Sequence, residues 1–189
     1  MFYDPAEMEE KLNDPDFTFV AADPADEGGD DFAAAPFKLI GDKIYVTDML
    51  YNTNGADFNE QALEEMIIAN NASAAGVEAV FGWVETAKRV RDALWKRGFK
   101  KEFRNLKPRQ NKHTRIVNRA AFIRNNFVFR KDWDDRPEYA KFMRNLTSYL
   151  KIQEPGTKNK HDDAPDLCEM AGQYFERNFP NLWSIKSKE

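Results

Sequence analysis

The stretch "FTFVAADPA", residues 17–25, sets the first limit on the fold. From Phe17 to Ala22 every position except Thr18 is apolar, and the run stops at Asp23-Pro24. A strand with one wet face alternates polar and apolar residues; a short unbroken apolar run ended by a turn signal fits a strand buried on both sides. Such a strand needs neighbours in a sheet and cover on both faces. It also has little reason to finish in a carboxylate unless that end opens onto a site, and in open α/β sheets ligand sites gather at the carboxyl ends of strands. Asp-Pro is equally a common turn starter, so the residue type alone leaves both readings open for Asp23.

The rest of the chain supplies the partners. Residues 1–14 read as a helical or irregular lead-in, and "DEGGDD" as a turn. "FAAAPFKLIGDKIYVTDMLYN" reads as two strands joined at Gly41-Asp42. "NEQALEEMIIANNASA" is a helix with Leu63, Met66 and Ile67 as its apolar stripe and Asn59 as its cap. "GVEAVFGWVE" reads as a strand running to Glu85, and "TAKRVRDALWKRGF" as an amphipathic helix closed by Gly98. A basic segment then gives a short strand, a loop and a helix. "FVFRK" is a short strand, and "RPEYAKFMRNLTSYLK" a helix with Tyr139, Phe142, Met143 and Leu146 inward. Early strands followed by helix-strand-helix alternation predict an α/β domain, a mixed central sheet with helices on both faces.

Bulk properties narrow the function. The chain of 189 residues is long enough for one domain with a proper core, and 15 Phe, 6 Tyr and 4 Trp argue against general disorder. A single cysteine, Cys168, rules out an internal disulfide and a Cys-rich zinc site, and suits a reducing cytosol. No apolar run approaches the roughly 20 residues that span a bilayer, and the acidic opening is unlike a signal or transit peptide. The net charge of −4 hides a segregation: residues 86–131 hold 16 Lys/Arg against Asp92 and Glu102, while the remainder holds 12 Lys/Arg against 30 acids. Such a basic block suggests a face for a polyanion, most simply nucleic acid. Lys88, Arg89, Lys100, Lys101, Arg104, Lys107, Arg109, Lys112 and Arg115 are the candidate phosphate contacts.

Acids at element ends supply the chemistry. "KNKHDDAPDLCEMAG" places His161, Asp162, Asp163 and Asp166 at the mouth of a helix whose apolar positions are Leu167, Met170, Ala171 and Tyr174. Capping by Asp162 or Asp163 and a favourable dipole would explain them in part. Asp23 ends a strand, and Glu85 stands at a strand-to-helix junction, with Glu78 as the fallback earlier in that strand. Three carboxylates from separate elements suit hard cations, Mg²⁺ or Mn²⁺, rather than zinc. Two such ions can stabilise the attacking and leaving oxygens in phosphodiester cleavage. Without metal, convergence would be costly, because like charges repel. The expected catalytic and metal-binding acids are Asp23, Glu85 and the helix-mouth group Asp162, Asp163 and Asp166, with His161 as an outer group or proton carrier.

"FVAADPADEGGDDFAA", "IYVTDMLYN", "NKHTRI" and "KHDDAPD" together resemble the nuclease domain of tailed-phage large terminase subunits, over about residues 15–177. The resemblance implies a ribonuclease H-like fold, shared with Holliday-junction resolvases and retroviral integrases. It implies a divalent-metal endodeoxyribonuclease, using two Mg²⁺ or Mn²⁺ ions, that cuts concatemeric viral DNA during genome packaging with little sequence specificity. Asp23 matches the first-strand metal ligand. "HDDAPD" supplies the third, with Asp163 preferred for its spacing from Asp166 and Asp162 close behind. The Asn-Gly pair that usually follows the second acid in that family is missing from "WVETAKRV", so Glu85 rests on position.

Full-length members carry an N-terminal packaging ATPase. This chain has no "GxxxxGK[ST]" motif, so it is expected to be a separated nuclease domain, with residues 1–14 as linker remnant and 178–189 as a C-terminal tail. Expected partners are double-stranded DNA, the ATPase domain of the full-length protein, the portal and the small terminase subunit. The isolated domain is expected to be monomeric. The expected location is the host cytoplasm, docked on the procapsid, with no membrane role. The rival readings are a non-catalytic nucleic-acid-binding or capsid-docking module and a junction-cutting resolvase.

Overall fold

The computed structural model describes residues 1–24, 31–79, 83–107, 110–149 and 162–184, with 183 and 184 by backbone alone. Arg109 and His161 lie outside the described residues. Eight strands form one mixed sheet: β1 (Phe2–Tyr3), β2 (Phe17–Asp23), β3 (Phe32–Ile40), β4 (Lys43–Val46), β5 (Leu50–Asn52), β6 (Ala74–Glu78), β7 (Glu102–Leu106) and β8 (Phe127–Arg130). Their order is β1-β8-β4-β3-β2-β6-β7, with β5 paired to the far end of β3. The helices are α1 (Pro5–Asn13), α2 (Ala56–Ala69), α3 (Trp83–Lys96), α4 (Lys112–Asn126), α5 (Pro137–Ser148), α6 (Asp163–Asn178) and α7 (Asn181–Ser184). No helix among the described residues is long and apolar enough to cross a membrane.

β2 is central, as its unbroken apolar run requires, and Phe19 to Ala22 are fully buried. Its two faces feed two cores by the period of 2. Phe19 and Ala21 join Phe37, Phe122, Phe127, Phe142, Leu167 and Phe175 under α4, α5 and α6. Val20 and Ala22 join Leu63, Ile67, Val90 and Leu94 under α2 and α3. The sheet is therefore covered on both sides, as the pattern of elements predicts.

β2 runs antiparallel to β3, with Asp23 opposite Ala33, and parallel to β6, with Ala22 opposite Val77. The parallel pairing puts the carboxyl ends of β2 and β6 side by side. Gly76 leaves room for the side chains packed over the Phe19 face: a Cβ there would sit 2.8 Å from Phe19 Cζ and 3.0 Å from Leu106 Cδ1. The two turn glycines carry positive φ, +60° at Gly41 and +89° at Gly98, where L side chains are strained.

Some element bounds differ from expectation. The strand read as reaching Glu85 stops at Glu78, and α3 begins at Trp83. α2 starts at Gly55 rather than being capped by Asn59, which is buried inside the helix and donates to the Asn54 carbonyl at 2.8 Å. Residues 1–14 contribute an edge strand and a helix: β1 pairs with β8, and Tyr3 and Leu12 are buried against Val128. In the segment read as a tail, Leu182 is buried in the main core.

Candidate metal centre

Asp23 and Glu78 are the last residues of two adjacent parallel strands. Side chains alternate along a strand, so Asp23 lies on the face of Phe19 and Ala21, and Glu78 on the face of Ala74; that face is covered by α6. α6 begins over these strand ends. Asp163 and Asp166, three residues apart, share one side of its first turns. Carboxylate oxygens of Asp23, Glu78 and Asp166 all lie within 4.8 Å of one another, and all three residues are buried.

Asp162 stands at the N-cap position of α6, but its side chain makes no capping hydrogen bond. Instead the acids face a cation. The Lys112 ammonium, at the start of α4, lies 2.9 Å from Asp162, 3.3 Å from Asp166, 3.5 Å from Asp163 and 3.7 Å from Asp23. Residues remote along the chain therefore do converge on one point. Arg115, one turn on, is 6% exposed. It pairs with Asp166 at 3.0 Å and with the buried Glu169 at 2.5 Å.

Burial drives the electrostatics. Loss of water pushes the Asp23 carboxyl well above its ordinary range; Lys112 opposes the rise, and Asp166 and Glu78 add to it. Burial likewise lifts Asp166 to about 6 against the pull of Lys112 and Arg115. Burial alone would lower the Lys112 ammonium, but Asp23, Asp166 and Asp162 hold it above its ordinary range. A group of buried acids needing a cation this badly has the donor chemistry of a divalent-ion site, hard oxygens only. Asp23 Oδ2 is also buried without a hydrogen-bond partner. The residues present fit Mg²⁺ or Mn²⁺.

One expectation about the acids is corrected by position. Glu85 is not at a strand end; it lies in the first turn of α3, with its side chain 69% exposed and 4.0 Å from Lys88. Glu78 takes the place beside Asp23. Asp163 is buried near the cluster, but its Oδ2 accepts from the Asp31 backbone N–H at 3.3 Å, and Asp166 is the α6 acid that closes the triad. Sequence reasoning also missed Asp31, buried and paired with Lys141, and Glu169. Glu169 was legible: it follows Asp166 by three on the buried side of an amphipathic helix.

The basic block scatters. Lys112 and Arg115, expected on DNA, are held by the acid cluster. Lys88 and Arg89 lie on α3, across the sheet from α6, and Arg89 is paired with Glu60 at 2.5 Å. Lys100 and Lys101 are tied to the Trp95 carbonyl and to Asn71. Arg104 pairs with Glu102 and lies 5.0 Å from the centre of the Tyr174 ring. Arg104, Lys107 and Arg115 do line one cavity beside α6.

No family model matches the chain, and no curated protein matches it in sequence. Solved structures do match it in fold. The human cytomegalovirus terminase nuclease domain, soaked with Mn and inhibitor-bound, superposes with a TM-score of 0.63 at 10% identity, over 93% of this chain and 89% of that one. The corresponding domain of the bacteriophage Sf6 large terminase subunit, a K428A mutant with calcium, gives 0.58 at 15% identity, over 89% and 93%. The chain thus has a ribonuclease H-like fold of the terminase nuclease kind.

Proposed function

We propose that this chain is a divalent-metal-dependent DNA endonuclease that cuts double-stranded viral DNA during genome packaging. The observation that carries the reading is the convergence of Asp23, Glu78 and Asp166 from β2, β6 and α6 to within 4.8 Å. Acids that cost this much to gather are retained where a cation is bound. Asp23, Glu78 and Asp166, with Asp162 and Asp163 beside them, would hold two Mg²⁺ or Mn²⁺ ions, which activate water and steady the departing 3′ oxygen of a phosphodiester.

The chain's own residues do the rest. β2 and β6 fix two carboxylates on rigid strand ends. Arg115, on α4, pairs with Asp166 and keeps its oxygens oriented. Lys112 neutralises the cluster and lies where it could yield those carboxylates to a bound cation and turn to a phosphate instead. The packaging role, with an ATPase domain, portal and small subunit as partners at the procapsid, rests on the fold likeness and on the segments quoted above.

Plasmid nicking in Mn²⁺ tests the reading. Asp23→Asn and Glu78→Gln are each expected to cut activity by at least about 100-fold, while Glu85→Gln keeps it. Unchanged cutting by Glu78→Gln would contradict the assignment, and no cutting by the wild type in any divalent ion would favour a binding module.

A further inference from the structure

Beside the acid cluster a cavity of about 800 Å³ opens between β7, α4 and α6. Its lining includes five cations, Arg104, Lys107, Arg115, Arg119 and Arg177, and no acid among the described residues. Two features mark it as built for an anion. The Nε atoms of Arg115 and Arg119 are buried without a hydrogen-bond partner, although Arg119 Nε lies 3.8 Å from Glu169 and its Nη1 pairs with Glu176; Arg115 is more than nine-tenths buried. A buried N–H left without an acceptor costs about 1–3 kcal/mol, so donors of this kind in a cavity wall favour an oxygen-bearing ligand. Gly172 on α6 leaves the room that Arg119 needs: a Cβ there would lie 3.0 Å from Arg119 Cγ and 3.2 Å from Cδ.

The cavity is continuous with the metal centre. Arg115 touches Asp166 and lines the cavity wall. Leu106, also in the wall, pairs in register with Glu78, and its carbonyl accepts from Ala79 at 2.9 Å. Lys107, Gln110, Gln173 and Arg177 stand exposed at the mouth, and neither Lys107 nor Arg177 has an ion pair among the described residues. Guanidinium forks held inside and exposed cations at the rim match a phosphodiester backbone better than a single small anion.

We propose that this cavity is the track for the DNA backbone on one side of the cut, with Arg119 and Arg177 as its phosphate contacts and Gln110 and Gln173 as polar rim donors. The proposal rests on the nuclease reading, but its test does not require cutting. Binding of a fluorescent duplex is measured in EDTA over a range of salt. Lys107→Glu with Arg177→Glu should weaken binding by about 10-fold or more and lower the salt slope by roughly two. A charge-matched control, Lys11→Glu with Lys131→Glu, lies on exposed positions away from the cavity and should change the slope far less. Equal losses in both variants, or none in the cavity variant, would overturn the proposal, as would displacement of the duplex by inorganic phosphate at matched ionic strength. Metal-dependent nicking by the wild type is scored separately, so this track can fail while the metal centre stands.

Discussion

Arg115 shows how one side chain carries two burdens. It is buried, pairs with two buried carboxylates, and touches both the metal centre and the neighbouring cavity. Removing one partner of a buried ion pair costs about 3–5 kcal/mol, because the remaining charge is left unpaired. Arg115→Ala is therefore expected to lose stability in that range by urea unfolding, with Arg115→Lys losing less. An effect on DNA affinity with no loss of stability would show that its structural role is overstated. Glu85 and Glu78 teach the opposite lesson about reading residues. Both are acids in one apolar run. Only the end of the hydrogen-bonded ladder, which leaves no mark in "GVEAVFGWVE", decides which of them meets Asp23.

Elements were more legible than single positions, and the reason is periodicity. β2, α5 and α6 declare themselves by unbroken or helical apolar spacing; the positions it marks are buried apart from the half-buried Phe17 and Leu146, while α6 is buried all round from Asp163 to Gly172. β5 was not legible, because three residues have too little pattern, and α2 begins ahead of its expected cap because glycine can serve as an N-cap. The site's position at the ends of β2 and α6 could be read from Asp23 and "HDDAPD". The loss of Lys112 and Arg115 to that site could not, since sequence shows charge but not its partner. At this scale Gly76 is the test of how tightly side chains pack over the ends of β2 and β6. Gly76→Ala would press on Phe19 and Leu106, costing about 1–3 kcal/mol. It should also weaken Mn²⁺ binding by displacing Glu78 from Asp23; calorimetry of the variant against wild type measures both.

For the whole molecule, the two-faced core exists to hold acids where they would rather not be. That sets a pH dependence whose sign can be worked out. Asp166 keeps a proton up to about 6, against 3.8 for an ordinary aspartate, and Asp23 is raised as well. Between those values the folded chain binds more protons than the unfolded one, so Asp166's contribution to metal-free stability falls as pH rises from about 4 to 6, and Asp23 acts in the same direction. A cation must displace the same protons, so Mn²⁺ affinity should climb with pH, by up to tenfold per unit below about 6, and level off above. Isothermal titration from pH 5 to 8 measures it; a flat profile would mean the acids are already ionised. The central claim is tested most directly by anomalous scattering from a crystal soaked in Mn²⁺. The expected result is a peak bounded by Asp23, Glu78 and Asp166, with the Lys112 ammonium moved aside. A peak elsewhere, or none at those three residues in a crystal that takes up Mn²⁺, would contradict the account.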